Sequence, residues 1–465
     1  MLQMRFVLLF SVVLVSLDVH ARPTAPRGVC AADDLDVAAC QGSRPSCTLC
    51  HQGPPDLNAF GGSVAEALFA NDTYTFDNFE ELIASTVLSI GGDDADGDGL
   101  SNLEELALGT APGDSSSFFV APLPAAGTTN TFYDVDHKDL RFAYRRVRTI
   151  YCGQPPLFEE VQTFAALDDA GRQASLHAAL DECLATSFWR DFALQRLADP
   201  RIHPLESIGF DGLIPLADYG WDYRLFSYIF SDDHDLRDLL LADYHVDENG
   251  DVVEGIVPVP EGALLETGGQ PLDVDKRAGM ITTQWFLMVH TMFSAMPRTT
   301  AAQAYRAYLG MDIAKGEGID PVEGEPRDVD GKGVTEPTCA VCHSTLDPLT
   351  YAFSPYNGIG RLSSGGVSRI DRTGAFAAER VPWGPEGSLL GTPVPSLRAW
   401  AEQAVETEEF RKNLGQMLWT ASFARGPTPD ERAEFEALWR GLPDDGYSAN
   451  RAFHRLIDTD AFQVP

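Results

Sequence analysis

Apolar residues recur at helical spacing along most of the chain. In "FDNFEELIASTVLSI" (76–90) they return every three or four positions, and Asp77 and Glu80 are spaced as a capping box at the start. "DAGRQASLHAALDECLATSFWRDFALQRLA" (169–198) reads as two helices broken near Thr186-Ser187. "TPDERAEFEALWRGL" (428–442) opens with Thr428 as N-cap, Pro429 at the first helical position and Glu431 closing a capping box. "ITTQWFLMVHTMFSAM" (281–296), interrupted by Gln284 and His290, predicts a buried helix, and "RKNLGQMLWTASFARG" (411–426) an amphipathic one. Strand signals are few and short. The pattern predicts a mainly α protein.

Two stretches interrupt the periodicity. Residues 109–131 are rich in Gly, Pro, Ser and Thr, and 316–333 in Gly, Pro and charge. Read as linkers, they predict domains at 22–125, 126–325 and 326–465. Residues 1–21 have another character: Arg5, an apolar run from Phe6 to Leu17, then Val19-His20-Ala21. That layout predicts a secretory signal peptide cut after Ala21, leaving a soluble, exported, periplasmic-type chain with no transmembrane segment.

Charge narrows the partners. The formal net charge is −35 and the pI about 4.5. Such a chain repels nucleic acid and anionic membrane surfaces; it could attract a basic redox partner, and the alternative is a generic solvated acidic surface.

The cysteines carry the chemistry. "CTLCH" (47–51) and "CAVCH" (339–343) repeat one pattern in a chain with 8 Cys and 10 His, where chance gives roughly 0.003 copies. Cysteines at i and i+3 lie on one side of a helical turn. Cys47 with Cys50, and Cys339 with Cys342, can add to the two vinyl groups of a haem, while His51 and His343 reach the iron as proximal ligands. The competing readings are a zinc site, which wants further close ligands, and a redox dithiol. Two covalent haem c groups are therefore expected, in two small helical cytochrome c-like domains flanking a helical middle domain. The other four cysteines, Cys30, Cys40, Cys152 and Cys183, suit two disulfides in an oxidising compartment, with the local pairs 30–40 and 152–183 favoured.

A second metal signal lies at 94–105, "DADGDGLSNLEE". Asp94, Asp96 and Asp98 offer carboxylates, Gly99 the sharp turn and Leu100 its carbonyl. Asn102 stands at the ninth position and Glu105 at the bidentate twelfth, the layout of an EF-hand Ca2+ loop. Gly109 is placed to stop the following helix. Ser101 stands where sensor loops carry an apolar residue, so one structural Ca2+ is expected. The alternative is an acidic turn without an ion.

Distal ligands are less determined. The only methionine beyond the second motif is Met417, the candidate for the second iron, with a core methionine as the alternative. From Gln52 to Asp136 there is neither Met nor His. His137, His290, Met288, Met292 or Met296 would then serve the first iron, or it is five-coordinate. The three methionines also read as a core stripe.

"CAVCHSTLDPLTYAFSPYNGIGR" resembles the haem stretch of planctomycete-type cytochromes, where C-x-x-C-H is followed by Asp-Pro (here Asp347-Pro348) and an aromatic-rich segment ending in glycine (Phe353 to Arg361). "RIDRTGAF" (369–376) and 414–431 look like later segments of the same proteins. "YRRVRTIYCGQPPLFEEV" and "KRAGMITTQWFLMVHT" are similar to their helical domains. "CTLCHQGPPDLNAFG" with "DADGDGLSNLEELALGT" resembles a cytochrome module with a built-in calcium loop. The usual Gly after Asp-Pro-x is absent. The resemblance implies an exported haem protein, and the expected function is electron transfer as a dihaem cytochrome. The alternatives are a dihaem cytochrome c peroxidase-like enzyme, whose motifs usually lie closer in sequence, and a partner- or carbohydrate-binding scaffold with accessory haems.

Overall fold

The computed structural model describes residues 28–30, 40, 45, 47–53, 56–75, 78–117, 137–202, 207–208, 214–215, 219–258, 269–290, 296–356, 383–384 and 386–465. The signal-peptide stretch, Asp77, Met292 and "RIDRTGAF" lie outside them, as do the side chains of Glu80, Met288 and His290. The described chain is mainly helical, with four two-stranded antiparallel pairs as its only sheets. Among the described residues, no helix is long and apolar enough to cross a membrane.

The N-terminal module is small. Cys47–Leu49 form one 3-10 turn, followed by a hairpin of β1 (His51–Gly53) and β2 (Asp56–Leu57). Helices α1 (Ala59–Phe69) and α2 (Phe79–Ser89) pack through Phe60, Val64, Leu68, Ile83 and Val87, and α3 (Asn102–Leu108) adds Leu106. The first C-x-x-C-H motif is thus not carried on a long helix. Gly53, Pro54 and Pro55 follow it, and none of them extends a helix.

Asn58 fixes this turn to α1. Its Oδ1 accepts from Gly61 N at 2.8 Å, as a helix N-cap does, and its Nδ2 donates to the Thr48 and Leu49 carbonyls at 3.1 Å each. The backbone N–H of Asn58 donates to Cys50 O at 3.0 Å. The approach is so close that a Cβ on Gly61 would sit 1.9 Å from that same carbonyl oxygen.

The second core is larger and draws on residues from Ala143 to Phe462. Helices α4 (Leu140–Tyr151) and α5 (Asp169–Leu184) pack side by side and are stapled by the Cys152–Cys183 disulfide. Cys30–Cys40 is the other bridge, so both local pairings expected from sequence are present. Around them stand α6 (Tyr219–Ile229), α7 (Gln284–His290), α8 (Arg298–Ala304) and α9 (Pro337–Tyr351). The chain ends with α10 (Leu397–Ala404), α11 (Glu408–Phe423), α12 (Arg432–Arg440) and α13 (Ala449–Ile457). Trp189, Trp285, Trp400, Trp419 and Trp439 are all fully buried. Residues on both sides of the 325/326 boundary share this core. Arg146 ties its two ends together: the guanidinium donates to the Ala461 and Phe462 carbonyls at 3.0 Å each and lies over the Phe423 and Phe462 rings.

The Gly/Pro-rich stretch 316–333, expected to be a linker, is packed instead. Ile319 and Asp320 are buried, and Glu325 accepts from Tyr351 Oη at 2.8 Å. Glu325 and Asp330 find partners on the helices, which composition alone does not reveal. Arg432 joins the N-terminal module to the rest by donating to the Ala107 and Leu108 carbonyls at the C-terminal end of α3. A cation is favourable at that pole of a helix.

The glycine contacts give a paired prediction. Gly61→Ala should lower stability by about 1–3 kcal/mol through overpacking against Cys50. Gly62→Ala, next to it on α1 with nothing within 4 Å of its Cβ position, should raise stability by about 0.5–1 kcal/mol. Thermal unfolding of the two variants checks both signs.

Candidate functional site

The second C-x-x-C-H motif lies on α9. Pro337 occupies the first turn, where its missing N–H costs nothing, and the helix carries Cys339, Cys342 and His343 in succession. The downstream half of α9 is buried, from Ser344 to Tyr351, while Cys339 is exposed and Cys342 and His343 are partly so. The motif therefore emerges from the core on a rigid rod.

His343 is held from below. Its Nδ1 lies 2.8 Å from Asp347 Oδ1, one turn on, and Asp347 is fully buried. An ionised carboxylate only accepts, so Nδ1 carries the proton, and Nε2 is the ring nitrogen left to face a metal. Arg298 donates to both oxygens of Asp347, at 2.7 and 2.9 Å, and to both oxygens of Asp330, at 2.7 and 2.9 Å. Burial works against the charge on Asp347, but the bonds from Arg298 and His343 hold its carboxyl below the ordinary range. Met296 is fully buried, with its sulfur 3.3 Å from Arg298 Nη2, on this same side of the motif.

The first motif comes up against the same region. Cys47 Sγ donates to Gly316 O at 3.2 Å, although the two residues are 269 apart in sequence. Burial pushes the Cys47 thiol up to about 11, and the nearby Cys342 adds to the shift. Burial pushes Cys50 up to about 12, helped by Cys47. Beside the turn, a cavity of about 440 Å3 opens between the module and α11, lined by Thr48, Leu49, Met311, Gly318, Asn413 and Gln416. Met311 is a buried methionine near the first motif that sequence reasoning missed, because it precedes the second motif rather than following the first. His137 is exposed ahead of α4, and Met417 is buried on α11 within the large core.

These facts bear on the competing readings of the cysteines. All four motif thiols are unpaired. Among the described residues, the only group of three or more acidic, thiol or imidazole ligands that converges is Asp94, Asp96 and Asp98, so the thiols form no tetrathiolate zinc site. A redox dithiol needs a lowered thiol pKa, and both Cys47 and Cys50 are raised. The donor set fits covalent haem attachment: reduced thiols at i and i+3, followed by a histidine, which at the second motif has its tautomer fixed.

The acidic loop folds as its pattern demands. Asp94 accepts from Gly97 N at 2.7 Å and Gly99 N at 3.0 Å, Asp96 from Asp98 N at 3.2 Å, and Asp98 from Leu100 N at 2.9 Å. Gly99 and Gly109 take positive φ, 100° and 75°. The Asp94, Asp96 and Asp98 carboxylates lie within 4.8 Å of one another. Glu105 is fully buried, and its Oε2, with Asp96 Oδ2 and Asp98 Oδ2, has no hydrogen-bond partner among the described residues. Such orphaned oxygens suit a cation.

Asn102 has a structural task here. It donates to Ile90 O at 2.8 Å and accepts from Ala95 N at 3.1 Å, bracing both ends of the loop. Ser101 is the N-cap of α3: its hydroxyl and N–H both donate to Glu104, at 2.6 and 2.9 Å. That explains a polar residue where sensor loops are apolar.

Comparison with protein-family models, curated proteins and solved structures finds no match for this chain.

Burial, with Asp96 and Asp98 nearby, pushes the Glu105 carboxyl up to about 7. The folded chain then binds a proton that the unfolded chain releases near pH 4.5, so metal-free stability falls as pH rises towards 7 and then levels. Glu105→Gln should flatten that slope and stabilise the metal-free protein at pH 8, by on the order of 2 kcal/mol. Chemical denaturation in chelator at pH 5 and pH 8 reads both effects.

Proposed function

We propose that this chain is an exported dihaem c-type cytochrome that transfers electrons, akin to the planctomycete-type cytochromes whose motifs it resembles. One observation carries the reading. Two C-x-x-C-H motifs far apart in sequence come together, with Cys47 on Gly316 and close enough to Cys342 for the two thiols to interact, and all four motif thiols are unpaired and form no zinc site among the described residues. A bound haem would supply one-electron cycling of its iron. The protein's part is to hold each group by its thiols, to offer His51 and His343 as proximal ligands, and to set burial and charge around them. The nearness of Cys47 and Cys342 favours passage of an electron between two such groups.

Met417 is the proposed distal ligand of the second iron, and Met311 joins the candidates for the first. Asp94, Asp96, Asp98, the Leu100 carbonyl and Glu105 would hold one structural Ca2+ that relieves their mutual repulsion. Export is supported by the two disulfides, which persist in oxidising compartments. The strongly acidic chain suits a basic redox partner.

Protein made with haem-maturation machinery should retain two haems through acid–acetone extraction, counted by mass spectrometry; one or none overturns the reading. Met417→Ala should abolish a methionine-to-iron absorption signature and lower one of two potentials in a redox titration. Calcium should raise the melting temperature of chelator-stripped protein, and Asp94→Asn with Glu105→Gln should remove that response.

A further inference from the structure

The buried network under His343 is a charge balance that the electron-transfer reading leaves unused. It holds two carboxylates, Asp347 and Asp330, and one guanidinium, Arg298. The Asp347 side chain is 0% exposed, Asp330 4% and Arg298 15%. The sum is one negative charge in a poorly solvated place, and the imidazole of His343 is the polar group that meets it, at 2.8 Å.

Two physical consequences follow. The carboxylate draws the Nδ1 proton towards itself, so the ring gains imidazolate character and becomes a stronger donor at Nε2. A stronger donor favours the more positive, oxidised iron. The surplus negative charge acts in the same direction, and low dielectric enlarges its effect. Asp330 is essential to this arithmetic. Without it, Arg298 and Asp347 would be a neutral pair.

We propose that Asp347 is a positioning residue for the second haem. Anchored by Arg298 and charged through Asp330, it fixes His343 as the Nδ1–H tautomer and holds that iron's reduction potential below what the axial ligands alone would set. The proposal rests on the dihaem reading. The pull of Asp347 opposes that of a methionine ligand, which raises a haem's potential.

The test uses holoprotein with its haems counted first, so that a missing second haem takes down the dihaem reading and is told apart from a failure of this proposal. Asp347→Asn keeps an oxygen facing Nδ1 but removes the charge. In a redox titration one potential should move positive while the other stays. In the reduced protein the Nδ1–H resonance of His343 should move upfield. Asp330→Asn, which leaves the histidine contact untouched, should move the same potential the same way by a smaller amount. It also serves if Asp347→Asn fails to fold. If the variants change the melting temperature but neither potential nor resonance, Asp347 is only a core ion-pair partner and the proposal falls.

Discussion

Arg298 is the interaction on which the placing of the second motif depends. Its guanidinium spans two carboxylates from different parts of the chain, Asp330 on the packed strap and Asp347 on the motif helix. Burial works against the charge on Asp347, and the guanidinium answers it. Removing one partner from a buried ion network of this kind costs about 3–5 kcal/mol, because a charge is left with nothing to answer it. The strap, α8 and α9 are therefore locked in one register, and the imidazole of His343 inherits that register through Asp347. The ring of His343 is thereby aimed by the fold itself.

The first motif is secured by different means. A buried amide secures it, with Asn58 satisfying two carbonyls of the C-x-x-C turn while capping α1. The turn is too short to have a hydrophobic face of its own, so backbone bonds take the place of packing. Contact with the main body then comes through Cys47 on Gly316 and Arg432 on the end of α3. A module stabilised by polar contacts and one small apolar cluster thus sits on a large aromatic core, with the two motifs at the seam.

Much of this was legible in the sequence, and the reason is local chemistry. The C-x-x-C-H spacing, the Asp94–Glu105 loop, Gly109 as a helix stop, the Thr428 cap and the 30–40 and 152–183 pairings all depend on neighbours a few tens of residues away at most. What stayed hidden depends on distance in the chain. Arg298 gave no sign that it would serve Asp347, and the stretch 316–333 looked like a linker because Glu325 and Asp330 meet Tyr351 and Arg298 only in three dimensions. Met311 was passed over for the same reason. The single 3-10 turn of the first motif was legible locally as well, because Gly53-Pro54-Pro55 follows it and favours no helix.

The Arg146 clamp sets an order of events. The small N-terminal cluster joins residues 29 to 106, and the α4–α5 pair with its disulfide joins 140 to 184, so both can form from nearby segments. The large core cannot. Its first helix is completed by the carbonyls of Ala461 and Phe462, and the N–H of Asp139 donates to Gln463 O at 3.0 Å. Closure of the loop between these segments is the slow, non-local step that topology imposes on folding. Until residues 461–463 are in place, α4 keeps part of its apolar face exposed and α9 has no finished core to stand on. The second pair of thiols therefore spends longer on an open chain than the first, and chemistry that must reach both pairs before folding meets them on different schedules.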